Sequence, residues 1–168
     1  MQEIFERRSI RKYKPKPVER ETLLDLLKAA MAAPTAGNQQ EWEFVIIDNR
    51  DILQAITTVH PYAQMLAQAP AAIVVCADLN KELHKGYWTQ DCAAATQNIL
   101  LQAQHLGLGT CWLGVYPRDE RVQGIKKLLG LPAHIMPLSV IAIGYPAEKK
   151  QPSERFDKKK IHINKWQK

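Results

Sequence analysis

Ala71-Ala72-Ile73-Val74-Val75-Cys76-Ala77 is an unbroken apolar run of strand length, introduced by Pro70. Successive strand residues face opposite sides of a sheet, so a strand that is apolar at every position has to be covered on both. This predicts a central strand with helices on either face, and Leu138–Gly144 reads as a second strand of the same kind. Working towards the N-terminus, His60-Pro61 breaks the chain and a short helix fits Tyr62–Gln68. Asp51–Thr58 has room for another short helix. Glu43–Ile47, β-branched or aromatic and closed by the turn-prone Asp48-Asn49, reads as a strand. Leu23, Leu26, Leu27, Ala30 and Met31 recur at helical spacing before Pro34 and Gly37 end the period, which predicts a helix over Val18–Ala33. Towards the C-terminus, Tyr87–Leu106 carries the longest helical signal and Gly107 stands at its C′ position. Cys92, Ala93, Ala94, Ala95 and Ala103 make that helix narrow, so another helix can approach it closely, either in the core or across a subunit contact. Thr110–Val115 then reads as a strand and Asp119–Leu129 as a helix stopped by Gly130.

The 168 residues, 46% of them hydrophobic, suffice for one domain with a real core and are too few for two ordinary ones. Residues 1–168 are therefore expected to form a single domain, with 147–168 as an extended C-terminal arm. In that arm Ile161 and Ile163 alternate with His162 and Asn164 as in a half-buried strand, and Trp166 is too apolar for a free tail. A proline-bearing linker precedes them, so docking on the chain's own domain or on a partner subunit is equally open. No apolar stretch approaches the ~20 residues that span a bilayer. Met1–Arg8 lacks the apolar centre of a secretory signal, so the expected compartment is the cytoplasm, with no membrane association. Cys76, Cys92 and Cys111 are odd in number, widely spaced and set in apolar sequence, which suits core residues better than a disulfide framework or a metal site.

The net charge of +6 favours anionic partners, and the charge is concentrated over Arg7–Lys16 and Lys149–Lys160. Two solvated ends are the plain alternative. Nucleic acid is not an expected partner, because aromatic residues do not interleave with these charges as stacking platforms would. The chain has no GxxxxGK, GxSxG, HExxH or CxxC motif. Gly107-Leu108-Gly109 follows a helix and opens a strand, the reverse of the order a dinucleotide fingerprint requires. The five histidines sit singly, so no metal site is expected.

What remains is a constellation of three segments. Arg7-Arg8-Ser9-Ile10-Arg11 gathers three guanidinium groups and a hydroxyl, and guanidinium forks bind phosphate oxygens in paired hydrogen bonds. Pro34-Thr35-Ala36-Gly37-Asn38-Gln39-Gln40 is a tight loop of small residues and amides suited to the edge of a flat heteroaromatic ring, and nearby Trp42 could line the same cavity. Gly109-Thr110-Cys111-Trp112-Leu113-Gly114 offers main chain that a ligand can approach without an obstructing side chain. Each segment taken singly is also an ordinary turn or core piece.

Taken in order, they resemble the nitroreductase family. The resemblance rests on Arg7–Arg11 followed by Tyr13, on the Pro34–Phe44 loop and strand, and on the alanine-rich helix with Gln97-Asn98. Gly107–Gly114 and Gly144-Tyr145-Pro146 complete it, so that nearly the whole chain is covered. It implies an α+β fold, a three-layer sandwich with a mixed, mainly antiparallel sheet flanked by helices and a C-terminal extension exchanged with the partner subunit. It further implies FMN as cofactor, NADH or NADPH as reductant, and a homodimer passing hydride to nitroaromatics, quinones or enones by a ping-pong mechanism, with no catalytic side chain because flavin N5 carries the chemistry. An FMN carrier without turnover, or a dehalogenating or flavin-cleaving relative, is the alternative. By the resemblance Arg7, Arg8, Ser9 and Arg11 hold the phosphate, ribityl chain and pyrimidine edge, with Arg155 assisting. Pro34, Thr35, Ala36 and Asn38 pack on the partner's flavin, and Trp112, Leu113 and Gly114 present amides to its N5 and O4 region. Glu41 departs from the pattern, which often has proline there, and the insertion with which larger members cover the substrate is missing.

Overall fold

The computed structural model describes residues 2–166; Met1, Gln167 and Lys168, the last two in the expected arm, lie outside the described residues. In chain order the elements are α1 (Glu3–Glu6), α2 (Arg20–Met31), β1 (Trp42–Ile47), α3 (Arg50–Val59), β2 (Ala71–Asp78), α4 (Trp88–His105), β3 (Gly109–Gly114), α5 (Asp119–Leu129) and β4 (Ile135–Gly144). The strands lie in the order β1-β2-β4-β3, and all neighbours are antiparallel. A parallel bridge from Ser9 to Thr110 extends the sheet beyond β3, with Ile10 N donating to Thr110 O at 2.8 Å, and makes it mixed.

As its composition requires, β2 is buried at every position before Asp78. Ile73 and Val75 join Ile141 and Ile143 under Leu23 and Leu26 of α2 and Cys92, Ala95 and Ile99 of α4. Ala72, Val74 and Cys76 face the other way, with Val140 and Ala142, onto Leu53 and Ile56 of α3 and Val122 and Ile125 of α5. The three-layer α+β sandwich follows from this alternation. The narrow side of α4 is divided: Cys92, Ala95 and Ala103 are buried in the core, while Ala93 and Ala94 are only partly covered.

The helix ends are set locally. Asn49 caps α3 by accepting from the amides of Asp51 and Ile52. Gly107 and Gly130 close α4 and α5 with φ of +72° and +64°, a left-handed conformation that glycine adopts without a Cβ penalty. All three cysteines are free and buried, and burial pushes the Cys76 thiol up to about 12.

Three expectations need correction. Tyr62–Gln68 forms only a 3-10 turn over Gln64–Ala67. Trp42 is packed in the core with α2 and α4 rather than lining a ligand cavity. The arm forms no strand: a 3-10 turn covers Lys158–Lys160, and Ile161, Ile163 and Trp166 stand 53%, 69% and 82% exposed. An alternating pattern becomes a strand only where a ladder partner exists, and within one chain Ile161 and Ile163 meet none among the described residues.

Gly144 ends β4 where an added Cβ would stand 2.6 Å from Pro70 Cδ and 2.8 Å from Tyr13 Cδ1. Both atoms belong to rings that are themselves packed. Gly144→Ala is expected to cost about 1–3 kcal/mol by overpacking, read as a lower denaturant midpoint at unchanged slope.

Candidate functional site

After α1 the chain runs along the open edge of β3. The Ser9–Thr110 bridge fixes its register, and the buried Tyr13 Oη donates to Ile10 O at 2.7 Å, which holds Ile10 inward and turns its neighbours out. Arg8 Nε donates to Gln151 O at 2.9 Å, and Nη1 donates to Arg7 O. Its Nη2 is buried with no hydrogen-bond partner. Arg7, Arg8 and Arg155 line one cavity of about 330 Å³, together with Phe5, Ser153 and Phe156. Glu154 also lines it, yet none of the three arginines is in an ion pair among the described residues. Desolvation, followed by the charges of Arg8 and Arg155, holds Arg7 below the ordinary guanidinium range. Three cations lining one cavity with a single carboxylate, and with no ion pair to it among the described residues, make a place where an anion is favourable.

A second cavity, of about 530 Å³ and sharing no lining residue with the first, opens at β3, lined by Arg11, His60, Tyr62, Gln64, Trp112, Leu113, Gly114 and Arg121. Thr110 O accepts from Ile10 N, and Gly114 O accepts from Arg121 Nη1 at 2.9 Å with His60 Nε2 also 2.9 Å away. Even-numbered β3 residues therefore turn their backbone groups to this edge, which places the Trp112 peptide groups and the Gly114 N–H there too. The Leu113 side chain points into the core, so only its main chain borders the cavity. Arg11, Trp112, Leu113 and Gly114 were expected here; His60, Tyr62, Gln64 and Arg121 were not. Their signals were weak, since His60-Pro61 reads as a chain break and Arg121 as a solvated helix residue.

The loop over 34–40 is held elsewhere. Gly37, Asn38 and Gln40 have φ of +55°, +56° and +48°. A Cβ on Gly37 would come 2.2 Å from His84 Nε2. Gln39 is the bracket: its Nε2 donates to Asp91 Oδ2 at 2.9 Å and to Glu41 Oε1 at 3.0 Å, while its Oε1 accepts from the amides of Leu83 and His84 at 2.9 and 3.0 Å. Ala36 N adds a bond to Asp91 Oδ2 at 3.0 Å, and Thr35 Oγ1 accepts from Gln40 N at 3.2 Å. Beneath the loop Glu41 is 0% exposed and its Oε2 has no partner. Burial, and then the charge of Asp91, raises its carboxyl. Pro34, Thr35, Ala36 and Asn38 border neither cavity, so a single chain does not bring them to the arginines.

A model of the nitroreductase family matches residues 4–59 and 56–145, from α1 through β4. The chain belongs to the nitroreductase family. A relative from Methanothermobacter thermautotrophicus, provisionally named NADH dehydrogenase/NAD(P)H nitroreductase, is 47% identical over 166 residues, covering 99% of this chain and 87% of that protein. A crystal structure from Parabacteroides distasonis under the same provisional name superposes with a TM-score of 0.95 at 44% identity, over 98% of this chain and 97% of the other. An FMN-dependent nitroreductase from Clostridium difficile superposes with a TM-score of 0.91 at 35% identity, over 98% of each chain. The nitroreductase fold of these neighbours is the three-layer sandwich described above. Among the described residues, no helix is long and apolar enough to cross a membrane, and no group of three or more histidine, cysteine or acidic side chains is placed to hold a metal ion.

Proposed function

We propose that this chain is an NAD(P)H-dependent flavin oxidoreductase that binds FMN in the groove along β3 and acts as a homodimer on electron-poor aromatic or quinonoid acceptors. The observation that carries it is the Arg7, Arg8 and Arg155 cluster, buried in part, lacking an ion-pair partner and leaving Arg8 Nη2 unsatisfied. That donor set fits a phosphate. Ser9 and Arg11 continue it along the edge of β3, where Arg11 lines the same cavity of about 530 Å³ as Trp112 and Gly114.

FMN, when bound, supplies the two-electron chemistry, and the protein supplies orientation and electrostatics. Arg7, Arg8 and Arg155 fix the phosphate end. Arg11 and Arg121 put positive charge beside the ring cavity, which favours electron-rich states of whatever it holds. The edge amides of β3 give directional donors that need no proton transfer, so a side-chain acid or base is not called for.

The loop over 34–40 would reach the cavity from a second copy, with Pro34, Thr35, Ala36 and Asn38 covering the ring. The arm over 147–168 would dock Ile161, Ile163 and Trp166 on that copy, which accounts for three exposed apolar residues in a polar segment. NADH and NADPH are both proposed as donors, and a cytoplasmic dimer is the working form. The purified protein is expected to be yellow, to release FMN on denaturation, to run as a dimer and to lose its oxidised-flavin absorbance anaerobically with NADH or NADPH. A colourless monomer that takes up no FMN would end this reading.

A further inference from the structure

His60 is 1% exposed and has no part in the role proposed for the arginines. Its Nδ1 accepts the Tyr62 amide at 3.2 Å, and its Nε2 lies 2.9 Å from Gly114 O. A neutral imidazole that accepts at one nitrogen carries its proton on the other, so Nε2–H donates to that carbonyl. Arg121 Nη1 donates to the same oxygen at 2.9 Å, and its guanidinium lies 5.4 Å from the centre of the Tyr62 ring. One carbonyl at the cavity edge is thus gripped from the end of α3 and from α5.

On its other side Gly114 stands opposite Ser139 at the last position of the β3–β4 ladder, and towards the cavity these two side chains are what hold its carbonyl. Gly114 lies at the end of an edge strand, and a Cβ built on it would meet no atom within 4 Å. Glycine also has the widest backbone freedom. In a strand the N–H and C=O of one residue point to the same side, so fixing the carbonyl fixes the direction of the Gly114 amide. Resting on the proposed FMN site, we infer that His60 and Arg121 are positioning residues that clamp the Gly114 carbonyl and thereby aim the Gly114 amide at the flavin ring.

The clamp needs the uncharged imidazole, since an imidazolium would point Nδ1–H at the Tyr62 amide, donor against donor. Burial, and then the charge of Arg121, lowers the His60 value, partly opposed by the bond to Gly114 O. The charged groups around it are Arg121 on α5 and Arg11 on the N-terminal segment, and no carboxylate lines the cavity. A depressed histidine keeps its contribution above its ordinary value near 6.5 and loses it as pH falls through the folded value.

The test uses FMN-loaded dimer. His60→Leu removes the donor, and His60→Gln can still donate to Gly114 O. Expected for His60→Leu are a shifted flavin absorbance spectrum and reduction potential, FMN affinity within about threefold of wild type, and a fall of about tenfold or more in kcat with saturating menadione. His60→Gln should restore kcat to within about threefold and flatten the acid limb of the profile below the ordinary histidine value of 6.5. If His60→Leu does not fold, Arg121→Met removes the second donor from a less buried position and should shift the flavin spectrum in the same direction. Wild-type spectrum, potential and kcat in His60→Leu, or in Arg121→Met where the former does not fold, would overturn the clamp, as would an unchanged acid limb in His60→Gln. Wild-type protein that binds no FMN would instead sink the functional proposal itself, so the two failures are distinguishable.

Discussion

Replacing Arg7 with glutamate should give a folded, colourless protein. Arg7 stands in the cavity with Arg8 and Arg155, its charge already made less favourable by desolvation and by those two neighbours. A phosphate bound there relieves the repulsion and gains charge-assisted hydrogen bonds, each of roughly 1.5–3 kcal/mol. Charge reversal removes that gain and sets a carboxylate against the phosphate. The expected loss is at least about 100-fold in FMN affinity, or roughly 3 kcal/mol, read by quenching of flavin fluorescence on titration. Arg7→Lys should cost less, roughly tenfold, because an ammonium keeps the charge but not the planar fork. The apo form of Arg7→Glu should be no less stable than apo wild type, since one of three crowded cations has gone. Arg7→Glu protein that binds FMN as tightly as wild type would place the phosphate elsewhere.

The layers of this fold are legible in the residues of β2, because a strand without a polar position leaves no face for water. Its boundaries and those of the helices fall within a few residues of the sequence pattern, since Asn49, Gly107 and Gly130 act locally. Pro137 hides the start of β4. A proline cannot donate to a ladder and reads as a break, yet β4 begins at Ile135 and Pro137 sits opposite Cys76, where the register with β2 shifts between Val75 and Cys76. The extra residue is Leu138 of β4 itself, since Ser139 stands opposite Val75 and Pro137 opposite Cys76; this bulge beside the proline is what lets it in, and no local pattern announces it. The arm shows the opposite error: alternation at Ile161 and Ile163 is visible, while the absence of a ladder partner is not.

The candidate site divides in the same way. Arg7, Arg8, Ser9 and Arg11 are contiguous, so their joint chemistry can be read directly. The clamp on Gly114 draws on His60, 54 positions earlier, and Arg121, seven later, and only the fold brings them to one oxygen. Glu41 stands out in the sequence as a departure from the family pattern, but its burial does not, because glutamate is rarely fully buried.

That burial makes Glu41 the source of a large pH effect. Desolvation, and then Asp91, raises its carboxyl above the ordinary 4.5, so the folded chain binds a proton that the unfolded chain releases more readily. The resulting stabilisation is complete below about pH 4.5 and is lost as pH rises through the folded value, at up to about 1.4 kcal/mol per pH unit. Glu41→Gln keeps an acceptor for Gln39 Nε2 and carries no charge. It should match wild type near pH 5 and exceed it increasingly towards pH 8 in denaturant-unfolding free energy. His60, with a lowered value, gives stability of the opposite pH sense, so the comparison is the difference between the two proteins at each pH, in which His60 cancels. Ionisation of Glu41 strengthens its acceptance from Gln39 Nε2 but sets a second buried negative charge against Asp91, which holds Gln39 and Ala36, and so strains the support under the loop over 34–40. If that loop covers the ring bound by a second copy, FMN affinity should fall with rising pH in wild type and stay level in Glu41→Gln. Parallel stability curves for the two proteins from pH 5 to pH 8 would mean that Glu41 is already ionised in the fold and that its neighbours, rather than a proton, compensate its charge.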